Sequence, residues 1–298
     1  MRENPMFSGS LVAIVTPMRP DGAIDFDAWA RLIEFHAANG TAGLVVGGTT
    51  GESATLTEAE LRELTLRACE LARGRMAVIA GAGTSSTAST VARVTWLRGL
   101  PIDGMLLVTP AYNRPPQEGL FQHFAAAAQA AAGKPILLYN VPSRTAVDMT
   151  PATVARLSRV AGIVGLKEAV PEAARVRELV GACAPGFVVL SGDDATARAA
   201  IAAGARGVIS VTANVAPRQM SEMVAAALAG DPERAQALDQ PLAALHRDLF
   251  LEANPIPVKW LLLQMGLIPA GVRLPLTPLA EEYRAAVLQA ARTAGILG

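Results

Sequence analysis

Met105-Leu106-Leu107-Val108 and Ile136-Leu137-Leu138-Tyr139 are apolar runs without polar alternation, separated by an alanine-rich stretch at 121–132 that closes on Gly133. A strand covered on both faces reads this way, because neither face has to meet water. The stretch between reads as a helix that a glycine stops. Similar runs lie at 11–15, 43–46, 77–80, 163–167, 187–191 and 207–211, with helical periodicity between them. Helix starts are also recognisable: Thr57 stands three residues before Glu60 as a capping box, and Thr150 precedes Pro151 as an N-cap before a first-turn proline. Eight strand–helix units in series predict an α/β fold, a closed (β/α)8 TIM barrel, with a doubly wound open sheet as the alternative. After Ala229 the alternation stops, and 232–251, 257–265 and 278–294 read as helices with no strand between them. The expected organisation is therefore a barrel catalytic domain at 1–229 and a C-terminal helical extension at 230–298, packed on the barrel or on a partner subunit.

Composition narrows the function classes. The 298 residues carry 26 Lys+Arg and 26 Asp+Glu, so the formal net charge is zero. A nucleic-acid glove or a polybasic membrane anchor needs a cationic excess that is missing here. Uninterrupted apolar stretches reach nowhere near the roughly 18 residues that span a bilayer, and residues 1–9 contain no apolar signal core. Cys69 and Cys183 are far apart and form no CxxC pair, in keeping with a reducing compartment; a cytoplasmic, soluble protein is expected. Only Lys134, Lys167 and Lys259 are lysines, and the other 23 basic residues are arginine. Codon bias explains that ratio, but it leaves three candidates for any chemistry that needs a lysine.

In a barrel of this kind, chemistry gathers where the strands end at the C-terminal mouth. The sixth run ends Leu166-Lys167-Glu168. A lysine closing an apolar run points into a low-dielectric mouth, which lowers its pKa and makes the neutral amine available to attack a carbonyl. The competing interpretation is a structural lysine paired with Glu168. Lys134 precedes the fifth strand, on the opposite face of the barrel, and Lys259 falls in a C-terminal helix. The fifth run ends Tyr139-Asn140-Val141-Pro142-Ser143-Arg144-Thr145, with a phenol suited to proton transfer and an arginine suited to a carboxylate; a core tyrosine and a surface arginine are the plainer alternatives. The second run leads into Gly47-Gly48-Thr49-Thr50-Gly51-Glu52-Ser53, either a tight turn or a carboxylate cradle of hydroxyls and N–H groups. The fourth ends Thr109-Pro110-Ala111-Tyr112. Gly81-Ala82-Gly83-Thr84-Ser85-Ser86 only partly matches a dinucleotide-binding turn, lacking the third glycine and the later acidic residue. His36, His123 and His246 have no zinc-ligand spacing, so no metal is expected.

These segments, with Gly9-Ser10-Leu11-Val12-Ala13-Ile14-Val15-Thr16-Pro17, Ser191-Gly192-Asp193-Asp194 and Asn254-Pro255-Ile256-Pro257-Val258-Lys259, resemble the dihydrodipicolinate synthase (4-hydroxy-tetrahydrodipicolinate synthase) family, sister to N-acetylneuraminate lyase. The resemblance runs from about Met6 to the C-terminus. It implies a lyase of the class I aldolase type, in which Lys167 forms an imine with pyruvate and the derived enamine attacks L-aspartate 4-semialdehyde, on the way to diaminopimelate and lysine. By resemblance, Tyr139, Thr49 and Tyr112 form a proton relay, Tyr112 coming from a neighbouring subunit. Thr49 and Thr50 would hold the pyruvate carboxylate, Arg144 that of the semialdehyde, and the Gly192 and Ile209 backbone positions would line the site. The family needs no cofactor and is usually a homotetramer, a dimer of dimers.

The chain also departs from the family pattern. Ala111 stands where many members carry an aromatic at the dimer interface. Glu58, Leu61, Ser85 and Ser89 occupy positions that form the feedback pocket in lysine-inhibited members, although Ser53 and Ala54 are kept, so weak or absent lysine inhibition is expected. A related pyruvate-dependent sugar-acid aldolase or dehydratase would share Lys167, Tyr139 and the Gly48–Glu52 turn but need not keep Arg144. A metabolite-binding homologue without catalysis is expected to lose one of Lys167, Tyr139 or Tyr112, and all three are present.

Overall fold

A computed structural model describes residues 7–297. Eight parallel strands close into a barrel: β1 (Gly9–Ala13), β2 (Gly43–Val46), β3 (Ala77–Gly81), β4 (Gly104–Val108), β5 (Ile136–Asn140), β6 (Ile163–Glu168), β7 (Val188–Ser191) and β8 (Gly207–Ser210). The helices of the outer ring are α1 (Phe26–Ala38), α2 (Glu58–Ala72), α3 (Thr87–Leu97), α4 (Gln117–Ala131), the single turn α5 (Pro142–Thr145), α6 (Pro151–Leu157), α7 (Ala173–Ala182), α8 (Ala197–Ala202) and α9 (Pro217–Leu228). Four more follow without an intervening strand: α10 (Pro232–Asp239), α11 (Ala243–Asp248), α12 (Ile256–Gln264) and α13 (Glu281–Thr293). The closed barrel, not the open sheet, is the architecture.

Alternation along each strand divides the apolar residues into two sets. Leu11, Val45, Ile79, Leu106, Leu137, Leu190 and Ile209 point inward and fill the barrel, with Phe7 among them. Val12, Leu44, Val78, Met105, Leu138, Leu166 and Val208 point outward and join the apolar faces of the helices. Leu242, Leu245, Val258 and Leu261 belong to that same outer core, so the C-terminal helices are packed onto the barrel. In β6, Leu166 faces outward, which turns Lys167 inward and Glu168 outward again.

Boundaries differ from the sequence expectation where hydrogen bonds outside the apolar pattern decide them. β1 starts two residues earlier, at Gly9, whose N–H donates to the Arg206 carbonyl (2.9 Å). Its ladder stops at Ala13, because the Val15 N–H donates to the Asn214 side chain (3.0 Å) instead of to a strand. Helix α4 begins four residues before the alanine-rich stretch, directly after Pro116, and Ala132 itself takes the left-handed turn (φ 50°) ahead of Gly133. The expected caps of α2 and α6 are present, Thr57 and Glu60 forming the reciprocal box and Thr150 capping ahead of Pro151. Gly81 and Gly83 owe their presence to close packing: a Cβ on Gly81 would lie 2.1 Å from the Gly47 carbonyl oxygen and one on Gly83 2.4 Å from the Val108 nitrogen. That crowding accounts for the partial resemblance to a dinucleotide turn.

Candidate active site

At the C-terminal mouth of the barrel lies a cavity of about 550 Å³. The turn after β2 contributes Gly48, Thr49 and Thr50; β5 and α5 contribute Tyr139, Ser143 and Arg144; β6 contributes Lys167; and the turn after β7 contributes Gly192 and Asp193. Its outer wall is Phe250-Leu251-Glu252-Ala253-Asn254, the linker between α11 and α12. Lys167 is the one lysine that lines it. Lys134 lies at the opposite face, donating from Nζ to the carbonyls of Leu100 (3.4 Å) and Ile102 (2.9 Å) ahead of β4.

Register places the two central groups side by side. Tyr139 and Lys167 are paired positions of adjacent strands, and Lys167 Nζ sits 4.4 Å from the centroid of the Tyr139 ring. Burial brings the Lys167 pKa down to about 8; the Asp194 carboxylate opposes the shift and the Arg144 guanidinium adds to it. At that value about one in ten side chains is neutral at pH 7, about three hundredfold more than for an ordinary lysine. The same burial pushes the Tyr139 phenol up to about 12, against the lowering influence of Arg144 and of a hydrogen bond with the Thr49 hydroxyl, while Glu168 adds to the rise. Tyr139 is therefore protonated at neutral pH, with the Thr49 hydroxyl among the groups acting on its phenol.

The alternative pairing of Lys167 with Glu168 is absent, because consecutive strand residues face opposite ways. Glu168 turns behind β6, where it accepts from Arg175 Nε (2.9 Å), Asn140 Nδ2 (3.0 Å) and the Val170 N–H (2.9 Å). Burial raises its pKa and these donors restrain the rise. Gly192 gives the lysine its room, since a Cβ there would stand 3.0 Å from Lys167 Cε and 2.9 Å from the Ala169 Cβ. Asp194 is buried, and one carboxylate oxygen accepts from the N–H groups of Val211 (2.8 Å) and Thr212 (3.0 Å).

Two of the candidate residues lie elsewhere. Ile209 is 1% exposed within the barrel interior and is not part of the cavity wall. Tyr112 is 95% exposed and points away from the cavity of its own chain. It sits at the centre of a γ-turn closed by Asn113 N–H to Ala111 O (3.0 Å), with φ of 76°, the strained form of that turn.

Residues 6–294 match the dihydrodipicolinate synthetase family. The chain belongs to that family. The 4-hydroxy-tetrahydrodipicolinate synthase of Methylococcus capsulatus is 53% identical, over 98% of this chain and all of the relative. That of Alkalilimnicola ehrlichii is 52% identical over the same share. Among solved structures, the chloride-inhibited dihydrodipicolinate synthase from Acinetobacter baumannii, complexed with pyruvate, is 46% identical with a TM-score of 0.95, over 97% of this chain and 99% of that one.

Membership in the dihydrodipicolinate synthetase family makes this chain a lyase-type enzyme built on the (β/α)8 barrel. What the residue-by-residue reading missed is the wall at 250–254. Asn254 donates from Nδ2 to Thr50 Oγ1 (3.0 Å), and its carbonyl accepts from Arg144 Nη2 (3.3 Å). The Asn254–Lys259 segment was visible as a family motif, and its two polar side chains in an otherwise apolar run were the available signal. Among the described residues, no helix is long and apolar enough to cross a membrane, and no group of three His, Cys, Asp or Glu is set to hold a metal.

Proposed function

We propose that the cavity condenses pyruvate with L-aspartate 4-semialdehyde to 4-hydroxy-tetrahydrodipicolinate through an imine on Lys167. The observation that carries this is the buried Lys167 amine, its Nζ 4.4 Å from the centroid of the Tyr139 ring, in a cavity that also presents Thr49, Thr50 and Arg144. The amine attacks the C2 carbonyl of pyruvate; two protons reach the departing oxygen as water leaves and the C=N bond forms. Loss of a C3 proton gives the enamine, whose C3 attacks the semialdehyde carbonyl. The resulting alkoxide takes a proton from the Tyr139–Thr49 path. The amino group of the second substrate then attacks C2, closes the ring and releases Lys167 as the free amine.

In this reading, Thr49 and Thr50 receive the pyruvate carboxylate, Gly192 leaves space beside the lysine, and Arg144 receives the carboxylate of the semialdehyde. Tyr112 completes the relay from a neighbouring subunit of a homotetramer, which accounts for a strained, outward-facing tyrosine on a barrel-mouth loop; Ile209 acts as floor packing. The unpaired, buried or half-buried Cys69 and Cys183 fit a cytoplasmic enzyme. The barrel at 1–229 is the catalytic unit, and 230–298 supplies the outer wall of its site. Arg144→Ala is expected to raise KM for the semialdehyde about 10- to 100-fold, the loss of charged hydrogen bonds to a carboxylate, with KM for pyruvate little altered. Steady-state kinetics with each substrate varied in turn checks this. An unchanged dependence on semialdehyde contradicts the role, whereas an imine with pyruvate but no semialdehyde turnover favours a sugar-acid aldolase or dehydratase.

L-lysine at millimolar concentration is expected to inhibit weakly or not at all. The Glu58 carboxylate, at one of the positions of the feedback pocket, is held by Arg93 and by the Trp96 indole N–H (3.0 Å), and Leu61 is buried. Initial rates at fixed substrate with increasing L-lysine measure this, and strong inhibition in the millimolar range contradicts it.

A further inference from the structure

Glu52 and Lys259 stand 207 positions apart and form an ion pair whose side chains are 1% and 3% exposed. Glu52 closes the Gly48–Glu52 turn with φ of 57°, a left-handed conformation that a non-glycine residue keeps only when its surroundings impose it. Its backbone is tied to the site itself: the Glu52 N–H donates to the Thr49 carbonyl (3.1 Å), and its carbonyl accepts from the Thr55 N–H (3.0 Å). Its side chain is tied to the C-terminal extension. One carboxylate oxygen accepts from Lys259 Nζ on α12 and the other from the Arg273 N–H (3.1 Å). Arg273 is anchored in turn, donating to Glu60 (2.9 Å), the Thr55 carbonyl (2.8 Å) and the Gly22 carbonyl (2.9 Å).

We infer that the Glu52–Lys259 pair is a positioning device for the keto-acid carboxylate, holding the Thr49–Thr50 turn in its receiving geometry from the far end of the chain. This rests on the reading of Thr49 and Thr50 given above. A buried ion pair is an expensive way to fill space, because two desolvated charges are often replaced by apolar side chains without loss of stability. Here the pair terminates in the turn that carries the Thr49 and Thr50 hydroxyls into the cavity lined by Lys167. Neither residue touches the reacting atoms, so their removal acts on how the carboxylate is received and leaves the amine chemistry in place.

The test compares the unaltered enzyme with Glu52→Gln/Lys259→Met, which removes both charges together, and with Lys259→Gln, which keeps a donor for Glu52. Circular dichroism establishes that each variant is folded. Cyanoborohydride trapping of the Lys167 imine is then timed with pyruvate and with acetone, a ketone without the carboxylate. The double variant is expected to trap pyruvate about tenfold more slowly, the loss of roughly one charged hydrogen bond, and acetone at a nearly unchanged rate. Lys259→Gln should fall between. In turnover, KM for pyruvate rises by the same factor while kcat holds. Equal losses with pyruvate and acetone, or no loss with either in a folded variant, would overturn the positioning role. Failure of the unaltered enzyme to trap pyruvate on Lys167 would overturn the underlying reading of the site, and this inference with it.

Discussion

Lys167→Ala is expected to lower kcat/KM by on the order of 10⁴-fold or more, because covalent catalysis is lost outright and only binding and proton transfer remain. The residual site offers no second amine. Lys134 is bonded to carbonyls at the opposite face, and Lys259 is fixed on Glu52. The fold should survive, since Gly192 lies against the lysine stem and the barrel interior below is apolar. The variant removes a buried amine whose charged form is disfavoured, so thermal stability should hold or rise. The pH profile follows with a definite sign. Imine formation needs the neutral amine, whose pKa burial has brought down to about 8. Trapping with pyruvate should therefore quicken about tenfold per pH unit below that value and level off above it. Single-turnover trapping from mildly acidic to alkaline pH measures this, and a rate that keeps rising about tenfold per unit well above pH 8 contradicts the lowered pKa.

Tyr139→Phe is expected to reduce kcat by about 10²- to 10⁴-fold, the usual range for a lost general acid–base group. The ring stays beneath Lys167 Nζ, so the cation–ring contact and the packing are preserved and only the hydroxyl disappears. The hydroxyl is also the link to Thr49. In the proposed mechanism, imine formation and C–C bond formation both draw protons from that path, so the loss should appear in kcat with KM for either substrate changed only slightly. Steady-state kinetics alongside the trapping assay separates the two: slow trapping together with slow turnover supports the relay, whereas a loss confined to KM contradicts it.

Much of this was legible before the fold was known because it is local. The eight apolar runs are set by strands buried on both faces, and the strand-end positions of Tyr139 and Lys167 follow from where those runs stop. Lys167 and Glu168 were separable only through pleat direction, which depends on Leu166 facing the helices. What the sequence could not show is non-local. Asn254, in the cavity wall at 250–254, meets Arg144 from 110 positions away and Thr50 from 204 positions away. Lys259, which looked like a residue of an ordinary C-terminal helix, is buried against Glu52 for the same reason. Tyr112, which the family resemblance assigns to a neighbouring subunit's site, is turned out of its own barrel by the strained turn at 111–113.

The central claim is that one amine, Lys167, forms the bond to pyruvate. Borohydride reduction in the presence of pyruvate, followed by proteolysis and mass mapping of all three lysines, tests it most directly. The expected result is a single pyruvyl adduct on Lys167 that disappears in Lys167→Ala. An adduct on Lys134 or Lys259, or none at all, would contradict it.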